Sequence, residues 1–551
     1  MNENNVLQTE TVQNETYTDT QEQIYTPAPP FELEKRDIIF TVCALVASVF
    51  TCLFGIFNGF NLGYFISSLL LLVAFTVYLI KKKSLSLFSG LCIILSLANS
   101  VVFITTTNAS VKLFGMIVGF LLAILGISGI ASGKAKGNRE TIGVFYSMTT
   151  TFGNVGVSLR SIFSNSGDNK KSIGKALLGV ACAIPALIII VPLLATDEAF
   201  RGMMNSIFNN LENGFIIILK VVVGVSLSIL VVTYGYSMKF GRFSKPKEST
   251  FNGIDNVYII SFLSVIAVCY LLYLFSQLAY FFSAFSGFLP DDTTTHSEYA
   301  RSGFFEMCII ALINFALVLL SLLLSKKQKG NVCAGIKVVA TFIALFTLII
   351  IATSISKMVL YMSEYGMTVL RITTSAFMVF LAITFIAVVL RIFMQNINIV
   401  KTSLVTAGVI VLLLGIVNVN SFCAGYNYDA YKAKSVQNID VEAMYNLGDE
   451  GIPYLTKLAC SKDSEVALEA QRYLAIVYTE DYFVDMYNLD DFDAKTLEKH
   501  QKYTGFSYFN IPRNRAYKAL YKFIENNPQF DEYCLQYNSY YSDIDFEDDL
   551  W

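Results

Sequence analysis

Acids, bases and hydroxyls gather at two places in this chain, each at the edge of a long apolar run. One is the polar hairpin Leu289–His296 and the stretch after it, which carries Glu298, Tyr299, Arg301 and Glu306. The other is the set Lys357, Tyr361, Glu364, Thr368 and Arg371. On one helix, Glu298, Arg301 and Glu306 fall within less than half the circumference, and Glu298 and Arg301, three apart, can pair. The second set recurs at spacings of three and four, a polar stripe that Gly366 interrupts. The chemistry on offer is that of a polar vestibule. Arg301, Lys357 and Arg371 would hold an anionic group such as a lipid phosphate or a polymer precursor. Glu298 or Glu306 would act as base, and His296 would carry protons. The same residues also have a purely structural reading, as ion pairs that hold helix ends together, and His296 reads first as a surface loop residue. Because Glu306 and Arg371 lie slightly inside apolar runs, where an isolated charge is costly, a Glu306–Arg371 or Glu298–Arg371 pair between helices is expected.

The elements that must position these residues are membrane helices. Hydrophobic residues make up 54% of the chain and charged ones only 15%, a balance that points to a multi-pass membrane protein. A bilayer crossing takes roughly 20 apolar residues as helix. Runs of that kind occur at Ile38–Phe57, Phe60–Ile80, Ser84–Ile104, Leu113–Ile130, Ile173–Ala195, Gly214–Tyr236, Tyr258–Phe285, Gly303–Leu324, Val338–Val359, Met367–Phe393 and Ser403–Phe422. The expectation is therefore an all-α, polytopic protein of about 11 transmembrane helices, with a small C-terminal helical domain. Alternating strand-length segments of a barrel are absent. Gly115-x-x-x-Gly119 in the fourth run lets helices pack closely; Pro185 and Pro192 should bend the fifth. No internal repeat of the transporter kind is visible.

Lys and Arg concentrate in alternate connections, from Lys35 and Arg36 through Lys81–Lys83, Lys134–Lys171, Lys239–Lys247 and Lys326–Lys329 to Arg391 and Lys401. The positive-inside rule then puts the N-terminus in the cytoplasm and, with an odd number of spans, the C-terminal region and the Glu298 cluster outside. Residues 1–36 read as a disordered cytoplasmic tail, 37–131 as four spans, 132–172 as a cytoplasmic amphipathic connection, 173–425 as the remaining spans, and 426–551 as an extracytoplasmic helical domain with an acidic tail. In the cytoplasmic connection Ile142, Phe145, Met148, Phe152, Val155, Leu159 and Ile162 form one apolar stripe, as for a helix lying on the membrane. A second such helix is expected over Asp197–Glu212. Lys220 is expected to snorkel outward.

In the C-terminal region, Val441–Leu447, Gly451–Cys460, Ser464–Tyr478 and Ala516–Glu525 read as short amphipathic helices. Ala443, Leu447, Ile452, Leu455, Ala467 and Ala470 are spaced like a pair of helical-repeat units. The cysteines have neither metal-knuckle nor redox-dithiol spacing, although an outside location would permit a Cys460–Cys534 disulfide. With His296 and His500 as its only histidines, the chain is a poor candidate for a histidine-built zinc site. No cofactor is expected, and the absence of a basic stripe argues against nucleic acid.

Four stretches together resemble a bacterial multi-pass family, domain of unknown function 4173, related to 4153. They are Pro192–Phe200, Ser297–Glu306, Tyr361–Arg371 and Phe509-Asn510-Ile511-Pro512-Arg513, with Glu-Tyr-Ala-Arg at 298–301 and Tyr-Gly-x-Thr-x-x-Arg at 365–371 the more specific elements. The resemblance implies a multi-pass fold with a helical tail domain and supplies no activity. Three function classes follow from the residues. The first is an envelope scaffold or sensor whose acidic outer domain binds an envelope protein. The second is a transporter or lipid-handling protein using the vestibule on a lipid headgroup. The third is a membrane-embedded enzyme acting on a lipid-linked substrate. The lack of an inverted repeat and of a recognisable catalytic set favours the first.

Overall fold

The computed structural model describes residues 29–80, 86–132, 138–164, 212–242, 253–276, 304–326, 332–394, 396–434, 438–478 and 505–530, with Leu194, Asp197 and Cys534 as single positions. Among them the regular structure is helical throughout. Ten helices are long and apolar enough to cross a membrane, and they coincide with the expected runs other than Ile173–Ala195. That run, with Pro185 and Pro192, lies outside the described residues, as do the expected helix between Asp197 and Glu212 and the acidic tail. The chain is a polytopic helical membrane protein.

The crossing helices form two groups joined by one helix. The first group holds α1 (Lys35–Phe50), α2 (Leu62–Ile80), α3 (Leu87–Ser100), α4 (Ala109–Ser132) and α7 (Glu212–Phe240). The second holds α8 (Asn256–Ser276), α9 (Phe304–Leu324), α10 (Ala334–Tyr365) and α11 (Val369–Phe393). The joining helix, α12 (Ile399–Val417), packs on α11 from one side and on α3 and α4 from the other. Its approach to the first group depends on two glycines seven residues apart, hence on one face: a Cβ at Gly408 would meet Leu122 at 2.8 Å, and one at Gly415 would meet Val102 at 2.5 Å. Small residues serve this purpose in lipid, where helices gain from close packing rather than from hydrophobic burial. The Gly115–Gly119 pair behaves as expected, lying against Ser96, Asn99 and Val102 of the α3 segment.

Between α4 and α7 the chain forms α5 (Asn138–Thr151) and α6 (Val155–Ser164). Their apolar stripe does not face a single environment. Phe145 packs with Cys92 and Leu122, and Ile162 packs with the core around Phe31 and Tyr236, whereas Ile142 and Phe152 are exposed. The pair is tied across the bundle end by polar contacts, Asn398 Nδ2 donating to Thr141 Oγ1 (2.7 Å) and Asn154 Nδ2 donating to the Arg242 carbonyl (2.7 Å). The expected tail also begins its order earlier than residue 37. Phe31 is buried, stacks on Phe240 at 4.9 Å and donates its N–H to Ser161 Oγ at 2.6 Å.

At the opposite end of the bundle stands the helical domain, comprising α13 (Val419–Lys432), α14 (Val441–Tyr445), α15 (Ile452–Leu458), α16 (Ser464–Ile476) and α17 (Ile511–Asn526). One core unites them, including Ala424, Met444, Leu455, Leu474 and Leu520. Two boundaries differ from expectation. The last span ends at Val417 rather than Phe422, and the domain begins at Val419 rather than at 426, because Asn418 adopts a left-handed conformation (φ 52°) that stops α12 and starts α13. On α14 the buried positions are Val441 and Met444, while Ala443 is exposed. Cys460, exposed, and Cys534, buried in the core, are not bridged to each other.

Candidate functional site

Six of the ten residues of the expected vestibule can be placed. His296, Glu298, Tyr299 and Arg301 lie outside the described residues. Glu306 is exposed in the first turn of α9, where an acid suits the helix dipole. Lys357 is 6% exposed within α10; Tyr361 and Glu364 belong to the last turns of the same helix. Gly366 ends α10 as expected, at φ 75° and ψ −176°, a region essentially restricted to glycine. Thr368 is the N-cap of α11, its side chain accepting from the Arg371 N–H. The guanidinium of Arg371 folds back over this corner. It lies 4.0 Å from the centre of the Tyr361 ring and donates to the Gly366 carbonyl at 2.7 Å. Asn427 of α13 then clasps the corner, accepting from Met367 N–H (3.1 Å) and donating to its carbonyl (2.9 Å). Thus Tyr361, Gly366 and Arg371 are brought together. Among the described residues, no ion pair joins Glu306 to Arg371, because the arginine is drawn into its own corner.

Among the described residues the densest polar constellation lies elsewhere, where the helical domain meets the first helix group. Glu450, 3% exposed, sits in the short turn between α14 and α15. Its Oε1 accepts from Thr107 N–H (2.8 Å), Thr106 Oγ1 (3.2 Å) and Asn418 Nδ2 (3.1 Å), and its Oε2 accepts from Thr107 Oγ1. A buried carboxylate is tolerable only when it is saturated with donors in this way. The Asn418 amide also donates to the Thr105 carbonyl (2.7 Å), and Asn108 Nδ2 donates to Asn420 Oδ1 (2.8 Å). Just before α17, Asn510 at its N-cap position donates to the Phe103 and Thr106 carbonyls (both 3.0 Å). These are free carbonyls at the end of an apolar helix, which need a partner once covered. Arg513 pairs with Asp449 at 3.1 Å.

A second layer extends this interface to α1, α2 and α7. Asn58 donates to Ser507 Oγ (3.0 Å) and accepts from Lys220 Nζ (3.1 Å), so Lys220 is fixed at the interface instead of snorkelling freely. Lys112 donates to Asn61 Oδ1 (2.9 Å) within electrostatic reach of Glu450, Asp449 and Arg513. Phe506 lies on Phe50 and Phe54. Within the domain, burial pushes the Cys423 thiol up to about 11.

The other bundle end carries its own charge cluster. Asp37, fully buried, accepts from Lys239 Nζ (2.5 Å) and Tyr78 OH (2.7 Å), and from the Glu34 N–H (2.8 Å). Tyr236 OH and Thr41 Oγ1 are hydrogen bonded at 2.6 Å beside it. This ties α1, α2 and α7 together through one carboxylate.

Neither Glu450 nor Asp37 was marked by motif or spacing. Asp37 had a faint signal, being the acid directly before the first apolar run. For Glu450 the signal was indirect: Phe509–Arg513, one of the stretches that carried the resemblance, supplies Asn510 and Arg513 to the same interface.

Residues 68–458 match the family described as Domain of unknown function (DUF4153). The chain belongs to this family. The expected membership of 4173 thereby gives way to its relative. The DUF4153 match spans most crossing helices and ends at Leu458, so it includes Thr106, Asn418 and Glu450 and leaves Asn510 and Arg513 beyond its edge. No curated protein and no solved structure matches the chain.

Proposed function

We propose that this DUF4153 protein is an envelope scaffold or sensor, which holds its helical domain in a fixed pose on the outer end of the bundle and presents it to an envelope protein. The observation that carries this reading is the saturated carboxylate of Glu450. A domain hung on a flexible tether has no use for a buried acid shared between tether and bundle, whereas a domain that must keep one orientation does. Arg36, Lys239, Arg242 and Lys326 lie at the bundle end opposite the domain, which favours that end as cytoplasmic and the domain as extracytoplasmic. The transporter and enzyme readings need a polar vestibule, and Arg371 is engaged with its own helix corner.

The test begins with Cys460, exposed on the domain. In intact cells, with the exposed Cys43 and Cys269 replaced, a membrane-impermeant maleimide should label Cys460 before lysis. A bifunctional crosslinker placed there should then give one discrete adduct that is lost in Glu450→Ala, where the domain is released from its pose. Labelling of Cys460 only after lysis would reverse the orientation. An adduct indifferent to Glu450→Ala would remove the reason for a fixed pose.

A further inference from the structure

Inside the first helix group, α2, α4 and α7 enclose a cleft of about 420 Å³. It begins between Phe60 and Phe103 at the end bearing the helical domain and finishes at Met148 and Phe152 of the α5 region. Two of its walls reach the bundle's flank, since Phe120 and Leu230 line it and are also exposed. Both residues sit on helices long and apolar enough to cross a membrane.

The hydroxyls along the cleft show what it can hold. Those of Thr51, Ser67, Ser68 and Ser100 donate to carbonyls of their own helices at 2.6–2.8 Å. Ser96 Oγ donates to the Gly119 carbonyl at 2.6 Å, and the Tyr234 hydroxyl is bonded to Ser128 at 3.1 Å. With these hydroxyl protons turned back onto the protein, and Tyr64 the one further hydroxyl among the described lining residues, the cleft offers a polar solute or water few partners to replace its hydration, and polar groups in such a space carry a penalty. Hydrocarbon meets no such cost. The length also fits. The α4 residues along the cleft run from Gly115 to Ile127, about 18 Å at ~1.5 Å per residue, against about 15 Å for one leaflet of a ~30 Å hydrocarbon core.

We propose that this cleft is a binding site for one acyl chain of a bilayer phospholipid, held between α2, α4 and α7. The chain enters from the flank at Phe120 and Leu230 and lies along the bundle axis. This site touches the domain interface only at Phe103 and does not depend on the scaffold reading.

The full-length protein, purified and washed at length in detergent, is examined by native mass spectrometry. The wild type should retain one phospholipid per chain. Ala123→Phe, which fills the cleft from α4, should lower that occupancy roughly tenfold with the melting temperature and far-ultraviolet circular dichroism unchanged. Should that variant misfold, Ser68→Phe fills the cleft from α2. As an independent readout, phosphatidylglycerol bearing a photoactivatable diazirine in its acyl chain should label residues 64–75 and 115–127 of the reconstituted wild type. Absence of a retained phospholipid, retention of a free fatty acid or detergent in its place, or undiminished occupancy in a folded filled variant would overturn the proposal. So would labelling of α8, whose Val265 and Phe275 face outward, at the same density as the cleft.

Discussion

Asn418 and Glu450 are hydrogen bonded at 3.1 Å, and the bond spans the elbow at which the membrane bundle becomes the helical domain. The same asparagine stops α12, starts α13 by accepting from the Ser421 N–H (3.1 Å), and reaches back to the Thr105 carbonyl. The elbow and the docking contact are therefore one device. Asparagine suits it because its short polar side chain tolerates the left-handed conformation better than other non-glycine residues do.

Removing the acceptor should free the domain without unfolding the bundle. Glu450→Ala leaves the part-buried Thr107 N–H without its acceptor, at about 1–3 kcal/mol, and takes from the Asn418 amide one of its two acceptors, leaving it the Thr105 carbonyl. Amide hydrogen exchange across α17 and around Thr106 should rise, while exchange in α10 and α11 stays as in the wild type. Unchanged exchange in α17 would mean that Glu450 contributes nothing to docking.

Two substitutions at the elbow separate backbone from side chain. Asn418→Gly keeps the left-handed turn and loses the amide's bonds, whereas Asn418→Val also forces a β-branched residue to a positive φ. The valine variant should be the less stable of the two by about 1–2 kcal/mol, read from thermal unfolding. Equal stability would show that the backbone conformation is not under constraint.

At the opposite end, Asp37 and Lys239 form a buried pair at 2.5 Å. Breaking such a pair by removing one partner costs about 3–5 kcal/mol, while replacing both by apolar residues is often neutral. Asp37→Leu and Lys239→Leu should therefore each lower the melting temperature, and the double variant should recover most of the loss. Additive losses would argue that the pair is not coupled.

The Arg371 corner depends on Gly366. An alanine there would be held at φ 75° with its Cβ 3.0 Å from Asn427 Oδ1, a strain of about 1–3 kcal/mol. Gly366→Ala should destabilise more than Arg371→Ala, which leaves the backbone of the corner unstrained. The comparison is made by chemical unfolding in a single detergent.

Cysteine reactivity should follow burial and thiolate content. The reacting species is the thiolate, and burial holds the Cys423 thiol up at about 11, so between pH 7 and 9 it stays protonated. Cys460, exposed, should be alkylated first, with Cys423 and the buried Cys534 modified only on unfolding. Prior reduction should change nothing, because Cys460 and Cys534 are not bridged. Alkylation of Cys423 in the folded protein would contradict its burial.

Much of this architecture is local in origin. Hydropathy summed along each run marks the spans, since crossing a bilayer requires only length and apolar content within the segment itself. That is why ten helices fell where they were expected. The Gly115–Gly119 contact and the break at Gly366 were legible for the same reason, being properties of a few consecutive residues. Thr368 shows the margin of that reading: it belongs to the expected polar stripe, yet its place before α11 makes it a cap. The choice of which polar end group meets which was decided by the tertiary structure alone. Glu450 and Thr106 are separated by 344 positions, and several asparagines and threonines at other span ends carry the same chemistry. Only the packing of α12 against α3 and α4, set by the absence of side chains at Gly408 and Gly415, brings that carboxylate over those hydroxyls.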